Sequence, residues 1–106
     1  MANKKEIKEY YKDLPKEKRI YAEKLIDELI FMGQTLARLR TTIRKEGAVI
    51  KTINGNGFEV TQEHPAQKSY NTTVKNYNST LKLLTDMLPE GIGETGDEFT
   101  RFLSGE

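Results

Sequence analysis

The chain has 106 residues, 36% of them hydrophobic and 31% charged, and a formal net charge of +1. One small domain is the natural reading of this length, and because small domains bury little surface, association of copies often supplements the core. The absence of cysteine excludes a disulfide framework and thiolate chemistry. No apolar run approaches a membrane span, and the opening residues lack the apolar core of a signal peptide, so we expect an intracellular chain with no membrane partner.

Charge is divided unevenly between the two halves of the chain. Residues 1–51 contain 13 Lys and Arg against 8 Asp and Glu, whereas residues 52–106 contain 4 against 8. This division favours an anionic partner at the front of the chain and a different partner at its end. An ordinary solvated surface with a chance asymmetry is the alternative.

The first residues form a basic lead-in, residues 1–14, in which the spacing of Ile7, Tyr10 and Tyr11 predicts a short helix. Asp13 and Pro15 then mark the beginning of a second helix. The basic side chains here are candidate contacts for DNA phosphates, with a solvated amphipathic lead-in as the alternative. They are Lys4, Lys5, Lys8, Lys12, Lys16, Lys18 and Arg19.

The dominant pattern is a long amphipathic helix over residues 13–47. One apolar stripe follows a seven-residue repeat and contains Ala22, Leu25, Leu29, Met32, Leu36, Leu39 and Ile43. A second stripe beside it contains Ile26, Ile30, Gly33 and Ala37. Since a helical hairpin needs only one stripe, we expect this helix to contact more than one partner and assign the second stripe to an interface between copies.

The last turns of this helix carry a second basic cluster, Arg38, Arg40, Arg44 and Lys45. Cations are favoured near a helix C-terminus, and contact with a nucleic acid is the other interpretation. Residues 48–62 then predict a β-hairpin, because β-branched segments flank a turn of Asn and Gly at residues 54–57. Two strands alone are marginally stable, so they should pack on helices or extend into sheets between subunits.

A second helix is predicted to open at Glu63-His64-Pro65 and to pack on the first through a matching stripe. The stripe contains Tyr70, Val74, Tyr77, Leu81, Leu84 and Leu88. Since eight of the twelve residues 69–80 are Ser, Thr or Asn, packing must hold this helix. The expected fold is mainly α: a long antiparallel helical hairpin, residues 15–88, with a short β-hairpin between the helices, in an oligomer.

Residues 89–106 form an acidic tail. Phe99, Phe102 and Leu103 have the spacing of a short amphipathic helix. Such a helix could bind a groove on a partner or dock on the chain's own helices.

No residue set supports catalysis. His64 is the only histidine, and its neighbours Glu63 and Pro65 indicate a role at the start of a helix. The chain has no Gly-x-Ser-x-Gly nucleophile motif, and one histidine without cysteine excludes a zinc site of ordinary composition. We therefore predict no enzyme, no catalytic residue, no metal and no cofactor.

The order of these parts resembles the small terminase subunits of tailed phages with cohesive-end packaging. The resemblance covers residues 21–88 and rests on Thr-Ile-Arg-Lys-Glu-Gly at the end of the long helix and on Glu-His-Pro-Ala-Gln-Lys at the start of the next. The most telling positions are Gly47, Gly57, His64-Pro65-Ala66 and the run of Leu81, Leu84 and Leu88.

The resemblance implies a non-enzymatic DNA-packaging factor. Such subunits form rings of helical hairpins, bind viral double-stranded DNA and regulate the large terminase subunit. For this chain it implies a homo-oligomer in the cytoplasm of the host bacterial cell, with the basic residues facing DNA and the acidic tail facing the large subunit or a neighbouring copy. The rival hypothesis is a small helical adaptor or regulator that binds a protein partner and no DNA.

Overall fold

The computed structural model describes residues 3–88, which form three helices and one two-stranded sheet. In chain order they are α1 (Lys4–Glu9), α2 (Lys16–Glu46), β1 (Val49–Ile53), β2 (Glu59–Glu63) and α3 (Pro65–Asp86). The predicted mainly helical fold, with a long helix, a β-hairpin and a second helix, is confirmed; its assembly into an oligomer stays a prediction. In the described part of the chain no helix has both the length and the apolar character needed to span a lipid bilayer.

The chain divides into two compact units. The first unit comprises Met1–Phe31 and Asn78–Glu106, and the second comprises Met32–Tyr77. Helices α2 and α3 each contribute a segment to both units.

In the first unit, the apolar side of α1 is buried. Asn3 caps the helix: its Oδ1 accepts a hydrogen bond from the Glu6 N–H at 2.9 Å. Ile7 and Tyr11 are 3% and 0% exposed. The buried apolar residues of this unit are Ile7, Tyr11, Ala22, Ile26, Leu29 and Leu84. The basic lead-in is therefore anchored by part of the core of the first unit.

Helix α2 is continuous from Lys16 to Glu46. It begins directly after Pro15, whose carbonyl oxygen accepts from the Arg19 N–H at 2.9 Å. It ends at Gly47, which has a φ of +88° and donates its N–H to the Ile43 carbonyl at 2.7 Å. Glycine adopts this left-handed conformation without the steric cost that a Cβ brings, which explains the stop predicted there.

In the second unit, segments of α2 and α3 run antiparallel. A Cβ placed at Gly33 would lie 3.7 Å from the Tyr77 ring. Further along, the Arg40 guanidinium donates to the Tyr70 hydroxyl at 3.2 Å. From the first contact to the second, the residue number rises along α2 and falls along α3, as the predicted antiparallel helical hairpin requires.

Two residues of the second apolar stripe of α2, Ile26 and Gly33, are used within the chain, and the assignment of the stripe to an interface between copies stays a prediction. Ile26 is fully buried in the first unit, and Gly33 faces Tyr77 in the second. Ile30 is half-buried, and Ala37 is exposed. An apolar stripe shows that something covers it, but a neighbouring segment of the same chain serves as well as a second copy.

The β-hairpin is antiparallel, with Val49 opposite Glu63 and Ile53 opposite Glu59. The Asn54 side chain closes the turn by accepting from the N–H groups of Asn56 and Phe58 at 3.0 and 3.1 Å. The second strand extends to Glu63, one position beyond the predicted end of the hairpin at 62. Helix α3 accordingly begins at Pro65, which fits the first helical position because it has no N–H to satisfy.

Candidate nucleic-acid interface

An open groove of about 480 Å³ lies in the first unit, beside α1 and the start of α2. Five basic and two acidic residues line it: Lys4, Lys5, Lys8, Lys12, Arg19, Glu9 and Glu23. We call this surface the basic groove. Because its cations outnumber its carboxylates and it is open to solvent, it can accept an extended polyanion.

Burial of Tyr11 fixes the cationic side of α1. Its hydroxyl donates a hydrogen bond to the Leu84 carbonyl oxygen at 2.7 Å, and its ring is completely buried. Burial also raises the pKa of the Tyr11 hydroxyl far above its usual value, so it remains a hydrogen-bond donor. With Ile7 and Tyr11 buried, the helical period places lysines on the exposed side.

Asp27 of α2 binds two of the groove's lysines. Its Oδ1 lies 2.8 Å from Lys4 Nζ and 3.6 Å from Lys8 Nζ. The hydrogen bond from Lys4 and the charge of Lys8 hold the pKa of the Asp27 carboxyl below its ordinary value, although partial desolvation opposes them. Asp27 is about half exposed, so each pair adds little to stability, but its carboxylate neutralises part of the charge of the two lysines.

The remaining basic residues of the front divide by position. Lys12 lies 3.6 Å from Glu9 across one helical turn, which lowers the net charge at that end of the groove. Lys5 lines the groove without an ion pair among the described residues. Lys16 and Lys18 are exposed at the start of α2 and do not line the groove. Of the seven predicted DNA contacts at the front, five therefore share one concave surface.

The second predicted basic cluster lies at the end of α2, in the second unit. Arg40 has an internal role, because its guanidinium lies over the Tyr70 ring, 5.9 Å from the centroid, and donates to the hydroxyl. Arg38, Arg44 and Lys45 are exposed and form no ion pair within the described part of the chain. Their exposure is compatible with both interpretations, a favourable position near the helix C-terminus and contact with an anionic partner, and the DNA contact stays a prediction.

His64 lies at the junction of helix and hairpin, in the capping role that its neighbours predict. Its Nδ1 accepts from the Ala66 N–H at 2.9 Å, so this nitrogen carries no proton and Nε2 donates to Glu46 Oε1 at 3.2 Å. The backbone N–H of His64 donates to the Ala48 carbonyl oxygen at 2.8 Å. The ring thereby connects the end of α2 to the first turn of α3, and the backbone of the same residue holds the base of the hairpin.

Sequence reasoning identified the lysines but missed the residues that position them. The spacing places Tyr11 with Ile7 and Tyr10 on one side of a short helix but does not show that its hydroxyl anchors the helix; a tyrosine pair inside such a polar segment is the available signal. Asp27 offered no signal, because its lysine partners are 23 and 19 positions away in the chain. The predicted tail residues Phe99, Phe102 and Leu103 lie outside the described residues.

Within residues 3–88, no group of three or more His, Asp or Glu side chains is arranged to hold a metal ion. No protein-family model, curated protein or solved structure matches the chain.

Proposed function

We propose that this chain is a non-catalytic small terminase subunit that binds viral DNA and regulates the large terminase subunit during genome packaging. The observation that carries the DNA-binding part is the basic groove, where five cationic side chains lie around one open concavity. The order of helix, β-hairpin and helix, present as the resemblance requires, supports the remainder.

The groove fits the phosphate backbone rather than the bases. Lysine ammonium groups are compact charges on flexible stems, which suits contacts with phosphates and carries little sequence information. Duplex DNA presents about one negative charge per 1.7 Å of its axis, so several groove residues can each neutralise a phosphate. Binding should therefore depend weakly on sequence and steeply on salt.

Fluorescence anisotropy with labelled duplex DNA across a salt series tests this proposal. The double variant Lys5→Gln with Arg19→Gln removes two groove charges. We expect it to weaken binding and to reduce the slope of log K against log salt by roughly 2, since each phosphate contact contributes about 0.9.

The matched control is Lys24→Gln with Lys68→Gln, which changes the net charge equally at exposed positions outside the groove. If both double variants bind alike, only the total charge matters and the groove has no special role. If the unmodified chain does not bind duplex DNA at low salt, DNA binding is excluded.

A protein-binding adaptor is the second candidate, and exposed apolar side chains on α2 favour it. Ile20, Tyr21 and Phe31 are 43%, 50% and 66% exposed, an apolar surface of the kind that partner proteins cover. The same titration separates the two functions, because an adaptor of this kind does not bind DNA at any salt concentration.

A further inference from the structure

The β-hairpin leaves two strand edges open. Within residues 3–88 the sheet contains only β1 and β2, so the outer edge of each strand has no strand beside it. At the two ends of the ladder, the Asn54 N–H donates to the Phe58 carbonyl at 2.9 Å and the His64 N–H to the Ala48 carbonyl at 2.8 Å. Since bonded pairs alternate in an antiparallel ladder, even-numbered positions pair within the hairpin. The backbone groups of odd-numbered positions therefore point outward.

The same region exposes apolar side chains. Val49 and Ile53, both at odd-numbered positions of β1, are 58% and 74% exposed, and Phe58 beside the turn is 69% exposed. Proteins usually protect an edge of this kind by covering or pairing it, because unpaired strand edges recruit other strands. A further strand would satisfy the outward backbone groups and place its own side chains beside Val49 and Ile53.

The charges on the two edges select which strand can pair. The outward positions of β1 carry one cation, Lys51, whereas those of β2 carry two anions, Glu59 and Glu63. Pairing β1 with β1 in register around Lys51 would place two ammonium groups opposite each other. Pairing β2 with β2 in register around Thr61 would place Glu59 opposite Glu63 twice, and like charges directly opposite are destabilising.

Pairing β1 with β2 instead brings opposite charges together. In the register of the hairpin itself, Lys51 lies opposite Thr61, with Glu59 and Glu63 on either side. The reach is sufficient, because Lys51 Nζ already lies 3.5 Å from Glu59 Oε1 across this register within one chain.

We propose that β1 of one copy pairs with β2 of the next copy, so that the hairpins form a continuous antiparallel sheet between subunits. The contact is head-to-tail, and such contacts either close into a ring or continue as an open chain. It is a different interface from the stripe containing Ile26 and Gly33. This strand pairing does not depend on DNA binding. A failure of the pairing and a failure of the proposed DNA-binding function can therefore be told apart, because association and DNA binding are measured separately.

Sedimentation velocity over a concentration series tests the charge argument. We expect the unmodified chain to associate, and Lys51→Glu to raise the apparent dissociation constant by about fivefold or more. The control Lys68→Glu makes the same change at an exposed site on α3 and should associate normally. Lys51→Glu combined with Glu59→Lys and Glu63→Lys reverses both edges and should restore association, which a merely misfolded hairpin cannot do.

Amide hydrogen exchange tests the strand pairing directly. The amides of Lys51 and Thr61 point outward and should gain protection only at concentrations where the chain associates, whereas Thr52 is bonded within the hairpin and should be protected throughout. Three results would overturn the proposal: a monomer at the highest soluble concentration, a Lys51→Glu variant that associates normally, or outward amides that stay unprotected in the assembled protein.

Discussion

The Tyr11 hydroxyl donates a hydrogen bond to the Leu84 carbonyl oxygen at 2.7 Å, across 73 positions of sequence. This bond joins the turn after α1 to the last turns of α3 within the first unit. Because three of the five cations that line the basic groove are lysines of α1, their position depends on a buried tyrosine that does not itself line the groove.

Tyr11→Phe should lower the free energy of unfolding by about 0.5–1.5 kcal/mol, because the ring remains while a buried hydrogen bond is lost. Tyr11→Ala should cost about 3–5 kcal/mol, because it also leaves a cavity. Urea denaturation followed by circular dichroism measures both changes.

The matched control for the lost hydroxyl is Tyr21→Phe, at a side chain that is half exposed. It should stay within about 0.5 kcal/mol of the unmodified chain. A Tyr11→Phe variant as stable as this control would mean that the bond to Leu84 contributes nothing.

Asp27 gives stability a pH dependence of defined sign. The Lys4 hydrogen bond lowers the pKa of Asp27 in the folded chain below its unfolded value. Its contribution is therefore complete above the unfolded pKa and is lost as the pH falls through the folded one. Asp27→Asn should be slightly less stable at neutral pH, by at most about 1 kcal/mol because the pair is half exposed, and equal to the unmodified chain in strong acid. Urea titrations at several pH values measure the difference, and a constant difference at every pH would exclude this origin.

The same substitution should strengthen DNA binding. Asp27 neutralises part of the charge of Lys4 and Lys8, and Asp27→Asn leaves both ammonium groups free to contact phosphates. We expect affinity for duplex DNA to rise several-fold at low salt, with a smaller gain at high salt because screening weakens the interaction. Glu28→Gln, an equal charge change at the exposed neighbouring position, is the control for net charge. Equal gains from the two variants would show a general charge effect instead.

The helices could be predicted from the sequence because their signals are local. The repeat from Ala22 to Ile43 predicts one unbroken helix, Gly47 ends it, and Pro65 after a capping His64 begins the next. Each of these follows from the conformational or hydrogen-bonding properties of one residue and its near neighbours.

The coverage of the apolar stripes could not be predicted in the same way. The sequence pattern assigns Ile26 to an interface with a second copy. The spacing of apolar residues gives the width of the apolar face of a helix, but it does not identify which segment or molecule packs on that face. The burial of Ile26 in the first unit, and the contact between Gly33 and Tyr77, depend on distant parts of the chain. The ion pairs of Asp27 are equally non-local, so the groove's charge balance required the structure.

Gly33 offers a stabilising substitution. A Cβ at this position would lie 3.7 Å from the Tyr77 ring, which is an ordinary contact, and alanine is favoured over glycine in a helix by about 1 kcal/mol. Gly33→Ala should therefore raise the free energy of unfolding by up to that amount. Gly33→Leu should lower it by about 1–3 kcal/mol, because its longer side chain is forced against the ring.

Gly47→Ala is the comparison variant for Gly33→Ala. The free energy of unfolding of both variants is measured by thermal or urea denaturation. The backbone at Gly47 has a φ of +88°, so the same added methyl group should destabilise the chain there. Stabilisation at both sites would mean that helix propensity alone decides, and destabilisation at both would mean that Gly33 has no room for a methyl group.

Substitutions of His64 can separate the contributions of its two side-chain contacts to stability. His64→Ala removes the acceptor for the Ala66 N–H and the donor to Glu46, and should lower the free energy of unfolding by about 1–2 kcal/mol. His64→Asn supplies a strong capping side chain that is too short to reach Glu46, so it should recover the capping part alone. The expected order of stability in urea is therefore the unmodified chain, then His64→Asn, then His64→Ala. Since Nδ1 is held as an acceptor by a backbone N–H, the ring in this position acts as a cap, and equal stability of all three chains would contradict that role.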